Sequence, residues 1–115
     1  MKPETKPFDI GLYTFKRQVM GFLCPEDDQQ MKDGQIVALL HPIQKVDPQG
    51  LYCFGVDKES GDTKTLCRKN LRFSKVITLR MKTENSMTAH QIVWAKLNTA
   101  LAYLKNQSKQ LAISN

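Results

Sequence analysis

The chain has 115 residues, of which 41% are hydrophobic and 24% are charged, and its formal net charge is +6. This length suits one domain, and the composition excludes a disordered chain. Since the sequence has no run of about 18 apolar residues and its first ten residues hold no apolar segment, we expect no membrane-spanning helix, no secretory signal and a cytoplasmic location.

The positive charge is concentrated in the middle of the chain. Residues 58–82 hold eight Lys and Arg against two Asp and Glu, so this segment carries a net charge of +6, as much as the whole chain. Residues 1–57 carry −2 and residues 83–115 carry +2. Such an uneven distribution points to the middle segment as the surface that would meet a polyanion.

The first third of the chain predicts a tail, a strand and a loop. Residues 1–8 contain two prolines and alternating charges, so we predict a flexible tail there. From Asp9 onward, β-branched and aromatic residues alternate in part, which indicates a strand that bends near Gly21. The acidic residues Glu26–Asp28 in the following loop lack the spacing of a cation site, and we expect them to be solvated.

The middle of the chain predicts further strands joined by turns. The apolar run Ile36–Leu40 favours a strand that is interrupted at Pro42 or lies at a sheet edge. The sequence DPQG at 47–50 is typical of a tight turn. The stretch LYCFGVD at 51–57 predicts a strand. The stretch KESGDT at 58–63 predicts a hairpin turn, and KTLCRKN at 64–70 predicts the returning strand. The stretch LRFSKVITL at 71–79 predicts one more strand, with a bulge near Ser74 and Lys75 because the alternation fails there.

The last part of the chain predicts one long helix. Thr88 followed by Gln91 has the spacing of a capping box, and no Gly or Pro occurs from there to Gln110. An apolar stripe at helical spacing predicts the face that meets the rest of the domain. The stripe consists of Val93, Leu97, Ala100, Leu101, Leu104 and Leu111.

The three cysteines predict neither a disulfide framework nor a zinc ribbon. Their number is odd and no CxxC occurs, so we expect three free thiols. A hairpin turn centred on Ser60 and Gly61 would place Cys53 opposite Arg68, and Cys67 opposite Phe54. The two thiols of the hairpin would then be offset neighbours.

The order of about five short strands and one helix predicts an α+β fold that is mainly β. The pattern indicates a small barrel or sandwich at residues 9–82, followed by a C-terminal helix within residues 83–115 that packs on the barrel or at a dimer interface.

A set of residues between positions 42 and 76 forms a recognisable pattern: Pro42, Gly50, Tyr52, Gly55, Asp57 and the basic return KTLCRKNLRFSKV. In this pattern residues 42–76 resemble the WYL domain, a small SH3-like barrel of bacterial transcriptional regulators. The likeness implies that residues 9–82 form a small SH3-like β-barrel that binds nucleic acid or nucleotide-like ligands through a basic and aromatic face. The family's Trp is Leu51 here, its last Leu is Cys53, and its arginine falls on Asn70; the chain also lacks a helix-turn-helix.

The cationic hairpin is the first candidate site. Arginine offers a fork of donors that suits phosphate, and aromatic rings can stack on bases. Alternation would place Lys64, Leu66 and Arg68 on one face, and Thr65, Cys67 and Lys69 on the other. The plainer interpretation is a solvated sheet face that protects an edge. The predicted binding residues are Lys64, Arg68, Lys69, Arg72 and Tyr52, with Tyr13, Phe54 and Phe73 as further rings.

The helix is the second candidate site. Ile92, Trp94 and Tyr103 flank the apolar stripe, and a helix that is apolar on two sides needs a second surface to cover it. This predicts a homodimer, or an assembly module that holds a protein partner and whose acidic loop meets a basic patch on its neighbour.

Catalysis is not expected. His41 and His90 have no nucleophile or carboxylate near them in sequence, and no phosphate-binding glycine motif occurs. We expect His41 at a strand end, His90 in the first turn of the helix, and a non-enzymatic protein without cofactor or metal.

Overall fold

The computed structural model describes residues 5–44 and 46–113, without the side chains of residue 22 and of residues 108–113. Five strands form one antiparallel sheet in the order β4-β3-β2-β1-β5. The fold is therefore α+β, as predicted. The strands are β1 (Thr5–Phe15), β2 (Ile36–Leu40), β3 (Tyr52–Asp57), β4 (Thr63–Cys67) and β5 (Leu71–Lys82), and the helices are α1 (Glu26–Gln29) and α2 (Ala89–Ile113), with 3-10 turns at Gly21–Leu23 and Arg68–Asn70.

The sheet is open among the described residues. Strands β4 and β5 lie at its two ends, and no ladder of hydrogen bonds joins them there. The 3-10 turn Arg68–Asn70 carries the chain from one end to the other, and the N–H of Lys16 donates to the carbonyl of Asn70 at 2.8 Å. The predicted closed barrel is therefore not confirmed.

The sheet buries a hydrophobic core on each face. The first face packs against α2 through residues such as Ile10, Leu12 and Ala38. The second face packs against the segment that leads from β1 to β2, and there Phe15, Val37 and Leu39 are fully buried. Because β2 contributes to both cores, its side chains are apolar on both faces, which explains the continuous apolar run in the sequence.

The predicted bulge in β5 is confirmed. Leu12 pairs with Lys75 while Tyr13 pairs with Phe73, so Ser74 is the extra residue. One extra residue reverses the alternation beyond it. Phe73 therefore lies on the second face with Tyr13, whereas Ile77, three pairs further along, packs against the first core.

The hairpin of β3 and β4 forms with a register that differs from the predicted one. Cys53 pairs with Leu66, not with Arg68, and Cys67 pairs with Tyr52, not with Phe54. The reason is that the carbonyl of Asp57 accepts the N–H of Gly61, which has a φ of 75°, so the centre of the turn lies one residue earlier and each partner on β4 lies two residues earlier than predicted. Arg68 and Lys69 consequently lie in the 3-10 turn, beyond the strand where alternation would apply.

The C-terminal helix begins at the predicted cap. The Thr88 hydroxyl accepts the N–H of Gln91 at 3.2 Å, and the Gln91 side chain accepts the N–H of Thr88 at 2.9 Å. The stripe packs on the first face of the sheet through Leu97, Ala100 and Leu104, which are buried, and through Val93 and Leu101, which are partly buried. The side chain of Leu111 lies outside the described residues.

The structure also corrects the predicted positions of the N-terminal tail and of strands β1 and β2. Strand β1 begins at Thr5, so residues 5–8 belong to the sheet, and Phe8 is buried in the first core; residues 1–4 lie outside the described residues. Strand β1 ends at Phe15, well before Gly21. Strand β2 ends before Pro42 but lies inside the sheet, between β1 and β3. The turn at 47–50 forms as predicted, with Gly50 at a φ of 69° and its N–H bonded to the Asp47 carbonyl.

Among the helices that the structure describes, none is both long and apolar enough to cross a membrane.

Candidate functional site

The predicted binding residues surround the 3-10 turn Arg68–Asn70 but do not share one face. Lys64 lies two residues before the buried Leu66 on the same strand, so both side chains are on the second face. Arg72 pairs with Thr14, whose position in β1 alternates with that of Tyr13, so Arg72 belongs to the first face. Arg68 and Lys69, which form the turn itself, are both exposed.

Arg68 lies beside an aromatic pair on the second face. Tyr13 and Phe73 meet edge to face with ring centroids 5.6 Å apart, and Phe73 is 59% exposed. Burial raises the pKa of Tyr13, as does the nearby Cys53, while the positive charge of Arg68 opposes the rise. The Arg68 guanidinium donates to the carbonyl of Gly50 at 3.3 Å. This surface joins a cation to an exposed ring.

Lys69 and Tyr52 line a different surface. They border a groove of about 140 Å³ together with apolar residues and Cys67. The Tyr52 hydroxyl donates to the carbonyl of Leu23 at 2.9 Å, so its ring is held in the wall of the groove. Tyr52 and Lys69 therefore share a surface that is distinct from the one beside Arg68.

The cations of the middle segment lack direct acidic partners. Arg17 and Asp28 form the one ion pair found among the described residues, and neither belongs to residues 58–82. Lys64, Arg68, Lys69 and Arg72 therefore leave their charge uncompensated at contact distance. The positive potential predicted from the sequence is preserved at the surface around the turn.

The acidic segment Glu26–Asp28 is predicted to be a solvated loop, but in the structure two of its carboxylates accept hydrogen bonds from the protein backbone. Asp28 is fully buried and accepts the N–H of Cys67 at 2.9 Å, while Asp27 accepts the N–H of Thr65 at 3.0 Å. Both N–H groups point away from β3, so α1 covers the free edge of β4. Asp33 accepts the N–H of Arg17 at 2.8 Å.

A buried polar network fixes the turn to the acidic segment. The Asn70 amide donates to both oxygens of Asp28, at 3.0 and 3.3 Å, and its own oxygen accepts the N–H groups of Gln18 and Val19. Arg17 completes the network with a bond of 3.3 Å to Asp28. The sequence analysis missed these residues because they are up to about 50 positions apart and share no motif.

The three thiols are free and buried, as predicted, but the close pair is an unexpected one. The Sγ atoms of Cys24 and Cys67 are 3.4 Å apart. Burial raises the pKa of Cys67 to about 12, and its bond to Cys24 and the charge of Asp28 add to the rise. Burial also raises the pKa of Cys53 to about 12, with Arg68 opposing it. No motif in the sequence brings Cys24 to Cys67.

The predicted interface residues of α2 behave differently from one another. Ile92 and Tyr103 are partly buried against the first core, so the sheet already covers much of them. Trp94 is 46% exposed and borders a groove of about 360 Å³ between α2 and β3, which Phe54 also lines. The second apolar side of the helix is thus narrower than the sequence predicts.

The two histidines lie where the sequence predicts. His41 is exposed in the bend after β2, and His90 is in the first turn of α2, where its Nε2 accepts the indole N–H of Trp94 at 2.9 Å.

Comparison of the chain with protein-family models, curated proteins and solved structures finds no match. Its function must therefore be inferred from its own residues.

Proposed function

We propose that the protein is a non-enzymatic binding protein that holds nucleic acid, or another phosphate-bearing polyanion, at the turn Arg68–Asn70 and the first half of β5. The observation that carries this proposal is the set of uncompensated cations around that turn, next to the exposed ring of Phe73. Phosphates would be met by Lys64, Arg68, Lys69 and Arg72, and bases by the rings of Phe73, Tyr13 and Tyr52.

The arrangement suits an extended strand better than a compact ligand. Lys64 and Arg68 lie towards the second face, Arg72 lies towards the first, and Lys69 lies at the groove that Tyr52 also lines. A single small phosphate could reach only one or two of these cations. A chain of phosphates that crosses the turn would contact all of them, and base stacking on Phe73 would add affinity that does not depend on sequence.

The finer fold is part of this proposal. We infer that the sheet belongs to the SH3-like class, as the resemblance of residues 42–76 to the WYL domain implies. Strand β5 pairs back with β1, and β2, β3 and β4 follow as a meander. This order places the last strand of the chain beside the first, and pairing of β4 with β5 would then close the barrel.

The experiment is a titration of labelled single- and double-stranded oligonucleotides, followed by fluorescence anisotropy, at low and moderate salt. We expect binding at tens of micromolar protein in low salt, with an affinity that falls linearly with salt on logarithmic axes. Phe73→Ala should weaken binding to single strands and leave the salt slope unchanged. Arg68→Gln or Arg72→Gln should reduce both affinity and slope.

Arg80→Gln is the matched control. Arg80 is on the same strand β5 and loses the same charge, but it lies seven residues from Phe73 and donates to the Thr5 carbonyl. A reduction as large as that of Arg72→Gln would show that net charge alone attracts the oligonucleotide. No binding at low salt would refute the proposal.

A second candidate function is self-association through α2. The observation that favours it is the groove beside Trp94, because an exposed indole at its border is a typical centre of a protein interface. Two copies related by a twofold axis would each place Trp94 in the groove of the other.

A further inference from the structure

Three metal-binding side chains from distant parts of the sequence meet behind the turn Arg68–Asn70. The Sγ of Cys24, the Sγ of Cys67 and a carboxylate oxygen of Asp28 all lie within 4.8 Å of one another, and all three residues are buried. Thiolate sulfur and carboxylate oxygen are ligands that zinc accepts, and their separation is compatible with bonds of about 2.0 to 2.3 Å to one central ion.

The surroundings already orient these ligands. Asn70 and the N–H of Cys67 hold the Asp28 carboxylate in place, and the Asn70 amide also lies 3.8 Å from the Sγ of Cys24. Hydrogen bonds of this kind around a ligating carboxylate fix its direction and strengthen metal binding. The Asn70 amide is shared between the two oxygens of Asp28, so one oxygen can turn towards an ion while the other stays bonded.

Charge balance permits a divalent ion in this buried place. Before binding, the carboxylate of Asp28 is neutralised by Arg17, and the two thiols are neutral. One divalent ion replaces the two thiol protons, which leave as two H⁺, and each sulfur then forms a bond to the ion. The net charge of the cluster is unchanged, so no unpaired buried charge results.

A route to the cluster exists on one side. Cys67 borders the groove of about 140 Å³ that Lys69 and Tyr52 also line. An ion could enter there, and a water molecule in the groove could occupy a fourth position.

We propose that Cys24, Cys67 and Asp28 form a zinc site that joins the segment before α1 to the end of β4. The fourth ligand is water, because the residues that the structure describes supply three. The metal site shares the groove of Lys69 and Tyr52 with the polyanion surface, but its three ligands are different residues, so it stands or fails independently of the proposed function.

The test uses the full chain, freed of metal with a chelator and kept reduced with a phosphine. Cadmium is the spectroscopic probe, since thiolate bonds to it give an ultraviolet charge-transfer band. We expect the band to saturate at one Cd²⁺ per chain, zinc to displace it, and either metal to raise the melting temperature. Cys24→Ser and Cys67→Ser should each abolish the band, and Asp28→Asn should weaken binding about 10- to 100-fold.

Cys53→Ser is the matched control, because Cys53 is equally buried but lies outside the cluster. It should keep the band and its stoichiometry. Alkylation followed by mass spectrometry gives a readout that needs no variant: bound metal should slow the labelling of Cys24 and Cys67 and leave Cys53 unchanged. Absence of the band in the reduced protein, or its loss in Cys53→Ser alone, would overturn the proposal, as would equal protection of all three thiols.

Discussion

At the scale of single residues, Asn70 has the largest set of buried hydrogen bonds around the candidate site. It is fully buried, accepts two backbone N–H groups and donates to Asp28. Asn70→Ala would leave the N–H groups of Gln18 and Val19 and the carboxylate of Asp28 without this partner. We expect the free energy of unfolding to fall by about 2 to 4 kcal/mol, measured by urea denaturation and circular dichroism.

Asn85→Ala is the control for this substitution. Asn85 is exposed in the connection between β5 and α2, and its replacement should change stability by less than about 0.5 kcal/mol. If the two variants were equally stable, the buried network would be of no energetic importance.

The raised pKa of the Cys53 thiol predicts that the protein becomes less stable in alkali. Its pKa is raised by burial from 9.0 to about 12, so the native state holds its proton more tightly than the unfolded chain. The stability that the protonated thiol contributes is fully present below about pH 9 and is lost as the pH rises from about 9 towards 12. The free energy of unfolding should decrease by up to about 1.4 kcal/mol per pH unit from this thiol.

The measurement is urea denaturation at several pH values between 8 and 10.5, for the wild type and for Cys53→Ala. The variant loses packing at every pH, so only the slopes are compared. The slope of the wild type should be steeper. Parallel slopes would show that the Cys53 thiol ionises as readily in the native state as in the unfolded chain.

At the scale of elements, the start of α2 depends on two reciprocal hydrogen bonds. Thr88→Ala removes the bond from the Gln91 N–H, and the free energy of unfolding should fall by about 1 kcal/mol. Thr88→Ser keeps the hydroxyl and should be close to the wild type. Thermal denaturation of both variants is the measurement, and equal losses would mean that the methyl group of Thr88, not the cap, stabilises this end.

The elements that the sequence predicts well are those set by local periodicity. The stripe and cap of α2 and the bulge at Ser74 follow from residues a few positions apart. The register of β3 and β4 was missed because it depends on the bond from Gly61 to Asp57, not on alternation. The role of Asp27 and Asp28 was missed because acidic residues in a loop give no sign that a strand edge lies beside them.

At the scale of the whole molecule, the sequence predicts the fold class and the position of the excess charge, but not the geometry of the binding surface. Five strands and a helix follow from the pattern, whereas barrel closure depends on contacts between the two ends of the sheet. The five predicted binding residues surround one turn, yet they divide between its sides because Arg68 and Lys69 leave the strand. Alternation cannot describe residues in a 3-10 turn.

The predicted homodimer is a property of the whole molecule, and Trp94 is its test. If two copies bury Trp94, light scattering at tens of micromolar should give twice the chain mass of 13.1 kDa. Trp94→Ala should shift the equilibrium towards monomer, with a loss of about 2 kcal/mol of association energy. A dimer would also carry two cationic turns and bind long polyanions more tightly.

Leu51→Ala is the control for Trp94→Ala, because Leu51 is also a large exposed apolar residue but lies away from α2. A mass of 13.1 kDa for the wild type would contradict the prediction. A dimer that persists in Trp94→Ala would place the interface elsewhere, and the free edge of β5 would then be the first surface to test.

The cover that α1 places over β4 limits how copies of this chain can polymerise. Since Asp27 and Asp28 occupy the outward N–H groups of Thr65 and Cys67, β5 is the end of the described sheet that stays open to a strand from another molecule. Pairing between copies must then stop at two, because each molecule uses its single open side once. A chain without those two carboxylates would have two open sides, and its sheets could add end to end into a filament.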